Sequence, residues 1–179
     1  MKFEETTLSS DVILQGIVFR VDRLGVRLND GSTSTRDILR HAGGVGVLAR
    51  SPSGTFLLVR QFRKAVESEI IEIVAGMREP GETAEASGRR ELMEETGYQA
   101  VSMRHLGRCY ASPGYTDEVV ELYFAETEPL PGDLQLDHDE RVIVEELTSE
   151  ELNRRIRENE IPDSKTIAAW FFATSKGLV

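Results

Sequence analysis

An α+β fold, with helices packed against a mixed sheet, is predicted by the order of apolar patterns along the chain. Residues 45–59 hold two short apolar runs separated by a Ser-Pro-Ser-Gly turn, which is typical of a β-hairpin. A short acidic helix is expected over residues 82–97. Two further helical patterns close the chain, at 149–159 and 163–176. Strand-like runs occupy the remaining intervals, at 69–75, 100–109, 119–125 and 142–144.

A small antiparallel sheet is predicted before the hairpin. Apolar runs at 12–14 and 17–19 flank Gly16, an Asn-Asp-Gly-Ser turn follows at 29–32, and residues 33–40 form a third strand pattern. We therefore expect an N-terminal sheet over residues 1–42 and a main domain over residues 43–179. A sheet of three strands is only marginally stable alone, so it should dock on the main domain or on a second subunit.

Composition narrows the class of protein. The 179 residues are 40% hydrophobic and 29% charged, as in ordinary globular proteins, and contain no run of about eighteen apolar residues that could span a membrane. The acidic N-terminus lacks an apolar signal core, and Cys109 is the single cysteine, so a cytoplasmic location is expected. The net charge of −10 argues against nucleic acid and anionic membranes as partners.

The helix at 82–97 carries an unusual density of acid. It should begin near Glu82 or Thr83 and end at Gly97, which suits a left-handed C-terminal cap. Ser87 and Gly88 are small enough to let it approach a strand closely. Between Gly76 and Gly97 there are six carboxylates: Glu79, Glu82, Glu85, Glu91, Glu94 and Glu95.

Three of these carboxylates fall on about one helical turn. Glu91 and Glu95 are four residues apart and face the same way, with Glu94 one step round. Such charges repel unless cations lie between them, and Arg90 can orient or neutralise one. Hard oxygen ligands suit Mg²⁺, with Mn²⁺ as the alternative, and both ions support attack of water on phosphorus. The competing interpretation is a solvated helix face in an acidic interaction module.

The residues of this stretch resemble the Nudix box, a glycine-and-glutamate signature, and they fill every specified position. The resemblance implies the Nudix α/β/α sandwich and hydrolysis of a nucleoside diphosphate linked to another moiety. It also implies metal ligation by Glu91, Glu95 and the carbonyl of Ala75. The matching residues are Gly76, Glu82, Arg90, Glu91, Leu92, Glu94, Glu95, Gly97 and Tyr98.

Features outside the box resemble the ADP-ribose pyrophosphatase subgroup of Nudix enzymes. Pro113 lies sixteen residues beyond Gly97, and residues 61–63, 72–76 and 163–166 resemble subgroup segments. One departure is Val74, where the subgroup usually has proline. The resemblance implies substrate binding by three residues of these segments: Arg63, Glu72 and Pro113.

Members of this subgroup form homodimers in which the N-terminal sheet crosses to the partner and completes the adenine pocket. Arg36 and Phe19 are the residues that we expect to reach the nucleotide. For Arg36 the alternative is a surface ion pair, with Asp37 for instance. For Phe19 it is a hydrophobic docking role.

The general base is the least determined role. In several Nudix enzymes a glutamate from a loop outside the box activates the water, and Glu140 in the acidic segment 136–140 matches the subgroup's position. His138 is an alternative base by its intrinsic pKa, and Glu94 is an alternative base or orienting residue.

The resemblance thus predicts Mg²⁺-dependent hydrolysis of ADP-ribose to AMP and ribose 5-phosphate. A pyrophosphatase for a sugar nucleotide of the GDP-mannose type is the alternative within the class. A catalytically silent nucleotide sensor is the alternative outside it, and the intact Glu91, Glu94 and Glu95 speak against that.

Overall fold

The computed structural model describes residues 3–129, 132, 136 and 141–179. Within these residues the chain forms nine strands and three helices, which confirms the predicted α+β class. A single 3-10 turn, Lys64–Val66, follows the fifth strand. The strands are β1 (Thr6–Gln15), β2 (Phe19–Arg27), β3 (Thr33–His41), β4 (Gly44–Arg50), β5 (Phe56–Arg63), β6 (Ser68–Met77), β7 (Ala100–Tyr110), β8 (Val119–Thr127) and β9 (Val142–Leu147). The helices are α1 (Ala84–Thr96), α2 (Ser149–Arg157) and α3 (Ser164–Ser175).

The N-terminal sheet has the predicted three antiparallel strands, in the order β1-β2-β3. Its second turn is closed by the bond from Leu28 N to Ser32 O (2.8 Å) and by Asp30, whose Oδ1 accepts from Ser32 N at 2.9 Å. Gly16 lies in the first turn, where its N donates to Phe19 O at 2.8 Å.

The described chain divides into two compact units. The first comprises Met1–Gly43 and Tyr110–Val119, and the second Gly44–Cys109 and Val120–Val179. In the first unit, the segment 110–119 is attached to β3, because Leu39 N donates to Tyr115 O at 2.7 Å and His41 N donates to Asp117 Oδ1 at 2.9 Å. The division into domains at residues 42 and 43 stays a prediction.

The second unit contains a mixed sheet of six strands in the order β7-β8-β4-β6-β5-β9. β4 runs parallel to β8 and antiparallel to β6. The predicted hairpin of β4 and β5 is paired only next to its turn, at Ala49↔Leu57 and Arg50↔Phe56. Beyond that point β6 lies between the two strands, where its buried backbone N–H and C=O groups find partners on both edges.

Helices cover both faces of this sheet. Alternate residues of β6 show the division, since Ile73 packs with Trp170 of α3 in one core and Val74 packs with Leu92 of α1 in the other. This arrangement confirms the predicted sandwich. In the part of the chain that the structure describes, no helix has both the length and the apolar character needed to cross a bilayer.

Candidate active site

Helix α1 begins and ends where its sequence predicts. Thr83 is the N-cap, and its Oγ1 accepts from Ala86 N at 3.1 Å. Gly97 closes the helix in the left-handed conformation (φ 74°), and its N donates to Met93 O at 2.8 Å. Just before the helix, Glu82 accepts from Ser87 Oγ at 2.7 Å, which holds the preceding loop against the first turn.

Small residues let α1 approach the sheet, as predicted. A Cβ built on Gly88 would lie 3.1 Å from Val47 Cγ2 and 3.2 Å from Val45 Cγ2 of β4. The contact is tighter at Gly76 of β6, where a Cβ would lie 2.0 Å from the Cδ and Oε1 atoms of Glu91. The carboxylate of Glu91 therefore occupies the space that a side chain at position 76 would need.

Arg90 connects the acidic residues around this contact. Its Nη1 donates to Glu91 Oε1 at 2.7 Å and to Glu94 Oε2 at 2.9 Å. Its Nη2 donates to Met77 O at 3.1 Å and to Glu82 Oε2 at 3.3 Å. Burial lowers the pKa of Arg90, but the hydrogen bonds and charges of these glutamates outweigh burial and raise that pKa above its ordinary value.

The two predicted metal-ligand carboxylates are the buried ones. Glu91 is 8% exposed and Glu95 is 1% exposed, whereas Glu94 is half-buried. Among the described residues, no group of three or more His, Cys, Asp or Glu side chains converges as a metal cage. Mg²⁺ does not require one, since it usually takes one or two carboxylates and completes its shell with water and phosphate oxygens. Glu91 lies against Gly76, next to Ala75, so the donor set fits such an ion.

A second charged cluster joins the last residue of β5, Arg63, to Glu72 in the middle of β6. Glu72 is fully buried, and its Oε1 accepts from Arg63 Nε at 2.8 Å. Its Oε2 forms an ion pair with Lys165 at the start of α3. Lys165 Nζ also donates to Asp163 Oδ1, the helix N-cap, at 2.9 Å. The Arg63 side chain is 41% exposed, so one cation of the cluster faces solvent.

Comparison with known proteins identifies the family. The model of the NUDIX domain matches residues 40–171. The chain belongs to the Nudix family. This confirms the resemblance that the box suggested, and the fold agrees. A solved structure titled "Crystal structure of ADP compounds hydrolase" superposes with a TM-score of 0.84 at 19% identity, covering 98% of this chain and 97% of that one.

Curated relatives of this Nudix chain differ in their names. It is 40% identical over 167 residues to an ADP-ribose pyrophosphatase of Bacillus subtilis, covering 93% of this chain and 90% of that protein. It is 41% identical over 171 residues to a methanol dehydrogenase activator of Bacillus methanolicus, covering 93% and 91%. A GDP-mannose pyrophosphatase of Yersinia enterocolitica is 33% identical over 165 residues, covering 85% of each.

The substrate residues predicted outside the Nudix box have diverse surroundings. In the first unit, Arg36 forms an ion pair with Glu5 at 2.6 Å, not with Asp37. Phe19 is half-buried, and Pro113 is exposed in the segment attached to β3. Glu140 and His138, the two loop candidates for the base, lie outside the described residues. The roles of all these residues stay predictions.

Lys165 is the residue of the second cluster that sequence reasoning did not single out. The sequence indicates only that its segment, 163–166, resembles a segment of the ADP-ribose pyrophosphatase subgroup. A lysine two residues after an aspartate N-cap gives no local sign that it will meet a buried glutamate more than ninety positions away. Glu72 is the better sequence signal for this contact, because a carboxylate within an apolar strand needs a cationic partner.

Proposed function

We propose that this Nudix protein hydrolyses the diphosphate of ADP-ribose to AMP and ribose 5-phosphate. The observation that carries the proposal is the seating of the Glu91 carboxylate on Gly76, with Glu95 buried one turn further along α1. A carboxylate against Gly76 and a second buried carboxylate on the same helix face offer the hard oxygen atoms that this chemistry needs. The ADP-ribose pyrophosphatase relative, aligned over 93% of this chain, supports the choice of substrate.

Glu91, Glu95 and the carbonyl of Ala75 would hold the metal, for which we propose Mg²⁺, with Mn²⁺ as the alternative. A divalent cation there supplies charge stabilisation for the diphosphate and lowers the pKa of the attacking water. Arg90 orients Glu91 and Glu94 through its Nη1 hydrogen bonds.

Arg63 is suited to a phosphate oxygen, because a guanidinium presents several donors in a planar fork. Glu72 anchors Arg63 from within the protein. Glu140 is the proposed base, and Glu94 is its alternative. Pro113, Arg36 and Phe19 are proposed to contact the nucleotide.

A homodimer and a cytoplasmic location complete the proposal. β1 is an edge strand, and its apolar side chains are exposed, with Val12 at 60% and Leu14 at 50%. Ile17, in the turn that follows, is fully exposed. Apolar residues on an edge strand need a cover, and a second copy of the chain would provide one.

The second candidate is a pyrophosphatase for a sugar nucleotide such as GDP-mannose. It is favoured by the relative from Yersinia enterocolitica, since the box recognises the diphosphate and metal whatever sugar is attached. Its lower identity over a smaller share of this chain, 33% over 85% against 40% over 93%, makes ADP-ribose our first choice.

The deciding experiment is a substrate panel. Purified protein with Mg²⁺ is incubated with ADP-ribose, GDP-mannose, NADH and diadenosine polyphosphates, and the products are separated by chromatography. We expect AMP and ribose 5-phosphate from ADP-ribose at the highest kcat/KM. A clear preference for GDP-mannose would reject the choice of ADP-ribose, and cleavage of no compound would favour a nucleotide sensor.

A further inference from the structure

The start of α3 is attached to β6 at the point where the central sheet divides. β4 pairs with β6 as far as Val47↔Val74, and then pairs with β5. At Ile73, the residue of β6 that precedes Val74, the backbone N–H donates instead to Thr166 Oγ1 at 2.9 Å. Thr166 is fully buried, and its hydroxyl donates in turn to Asp163 Oδ2 at 2.5 Å.

The same attachment brings Lys165 to Glu72. Glu72 is 0% exposed, and a buried carboxylate is costly unless cations and hydrogen bonds satisfy both of its oxygens. Arg63 satisfies Oε1 through its Nε, and Lys165 satisfies Oε2. The lysine side chain is 16% exposed, so it faces the protein rather than solvent.

Because Lys165 binds one oxygen of Glu72, Arg63 has donor groups left for a ligand. In the described part of the chain, Arg63 donates to Glu72 from Nε, which leaves both terminal amino groups for an anion. Burial lowers its pKa, but the hydrogen bond and charge of Glu72, together with the charges of Glu95 and Asp163, outweigh burial and raise that pKa, so the guanidinium stays charged. Without Lys165, Glu72 would hold a full charge against Arg63 alone and could draw a second donor from it.

We propose that Lys165 is a positioning residue for the diphosphate. By binding Oε2 of Glu72, it keeps Arg63 anchored through one nitrogen, so that the outer amino groups and the positive charge of Arg63 stay available to a phosphate oxygen. This inference rests on the proposed function for the role of Arg63. It concerns the binding of the diphosphate rather than the chemical step.

The first test is Lys165→Met, with binding of ADP measured by titration calorimetry at fixed Mg²⁺. We expect the Kd for ADP and the KM for ADP-ribose to rise about tenfold, with kcat within about threefold of the original, since ground-state binding is what is lost. Lys165→Arg keeps the charge and should restore most of the affinity. Lys176→Met is the matched control, because Lys176 is exposed at the other end of the same helix and should bind ADP normally.

A double-mutant cycle tests whether Lys165 acts through Arg63. If it does, adding Lys165→Met to an Arg63→Gln background should change the Kd less than about twofold. A tenfold effect in both backgrounds would overturn the proposal. Glu72→Gln combined with Lys165→Met also removes the stranded charge, so it should fold as the wild type does and regain part of the ADP affinity. If this double variant binds ADP no more tightly than Lys165→Met does, that result would also overturn the proposal.

The outcomes separate this inference from the proposed function. If the wild type binds ADP and cleaves nothing in the substrate panel, the function fails while the role of Lys165 is still measured through the Kd. If the wild type cleaves ADP-ribose and Lys165→Met binds ADP as tightly as the wild type, the role of Lys165 fails and the function stands. A wild type that does not bind ADP would refute the inference directly.

Discussion

Single atoms decide the geometry at Gly76. The Glu91 carboxylate lies where a Cβ at this position would be, so the glycine is required by packing rather than by backbone conformation. Arg90 Nη1 donates to the same carboxylate at 2.7 Å. At this scale the site depends on the absence of a side chain at position 76 and on the hydrogen bond between Arg90 and Glu91.

Glu95→Gln should lower kcat/KM for the cleaved substrate by on the order of 100-fold, because an amide is a poor ligand for a hard cation. The glutamine is nearly isosteric, so the melting temperature should stay close to that of the wild type. Glu85→Gln is the matched control, since Glu85 is exposed on the same helix and bonded to Arg89. Near-normal turnover in Glu95→Gln would reject the ligand assignment.

Gly76→Ala should lower activity by about tenfold or more, because the added methyl group would overlap the Glu91 carboxylate and displace it. The measurement is the Mg²⁺ concentration that gives half-maximal rate, which we expect to rise. Circular dichroism would verify that the fold is retained. An unchanged Mg²⁺ requirement would show that the position of Glu91 does not matter.

The helices are stabilised by capping residues at their ends and by charged side chains. α1 is delimited by Thr83 and Gly97, and α3 by the Asp163 cap, which also accepts from Lys165 of the neighbouring charged cluster. α2 is different, because most of its charged side chains bond to one another or to the residues that follow the helix. Its first-turn Glu151 accepts from Arg154 at 2.9 Å and from Arg155 at 2.8 Å.

These bonds lower the pKa of Glu151 from 4.5 to about 2. A carboxyl group whose pKa is lower in the folded state stabilises the fold above about pH 4.5, and that contribution disappears as the pH falls to about 2. We therefore expect Glu151→Gln to lower the melting temperature at pH 7 and to approach the wild type near pH 2. Added salt should shrink the difference.

Glu150→Gln controls for the loss of one negative charge in the same turn. A melting-temperature difference for Glu151→Gln that stays constant from pH 7 to pH 2 would contradict the assigned pKa.

At the scale of the whole molecule, the question is what covers β1. All ten of its residues are exposed within the single chain. Soluble proteins seldom leave an apolar edge strand open, because it invites pairing with other chains. This is the physical reason for expecting a second copy.

If the proposed homodimer forms through β1, Val12→Glu should convert it into a monomer, because a charge would then be buried at that interface. Sedimentation at micromolar concentration should give twice the 20.0 kDa chain mass for the wild type and 20.0 kDa for the variant. Val101→Glu, at a 66% exposed position in β7, controls for the charge and should stay dimeric. A wild-type monomer would contradict the proposed homodimer.

Much of the fold could be predicted because its signals are local. Turn residues, caps and apolar periodicity each depend on a few neighbouring positions, and the three N-terminal strands, α1 and the terminal helices follow from them. The pairing of β4 could not be predicted in this way. A hairpin pattern records which residues can turn, and it contains nothing about a later strand that enters between the two arms.

The same division holds for the site. By itself, the sequence determined the Nudix box, the limits of α1 and the shared face of Glu91 and Glu95, because the 3.6-residue period places residues four apart on one side of a helix. Only the tertiary structure decided that Glu91 lies against Gly76 and that Lys165 meets Glu72. Those contacts depend on packing between segments distant along the chain, and no local pattern encodes them.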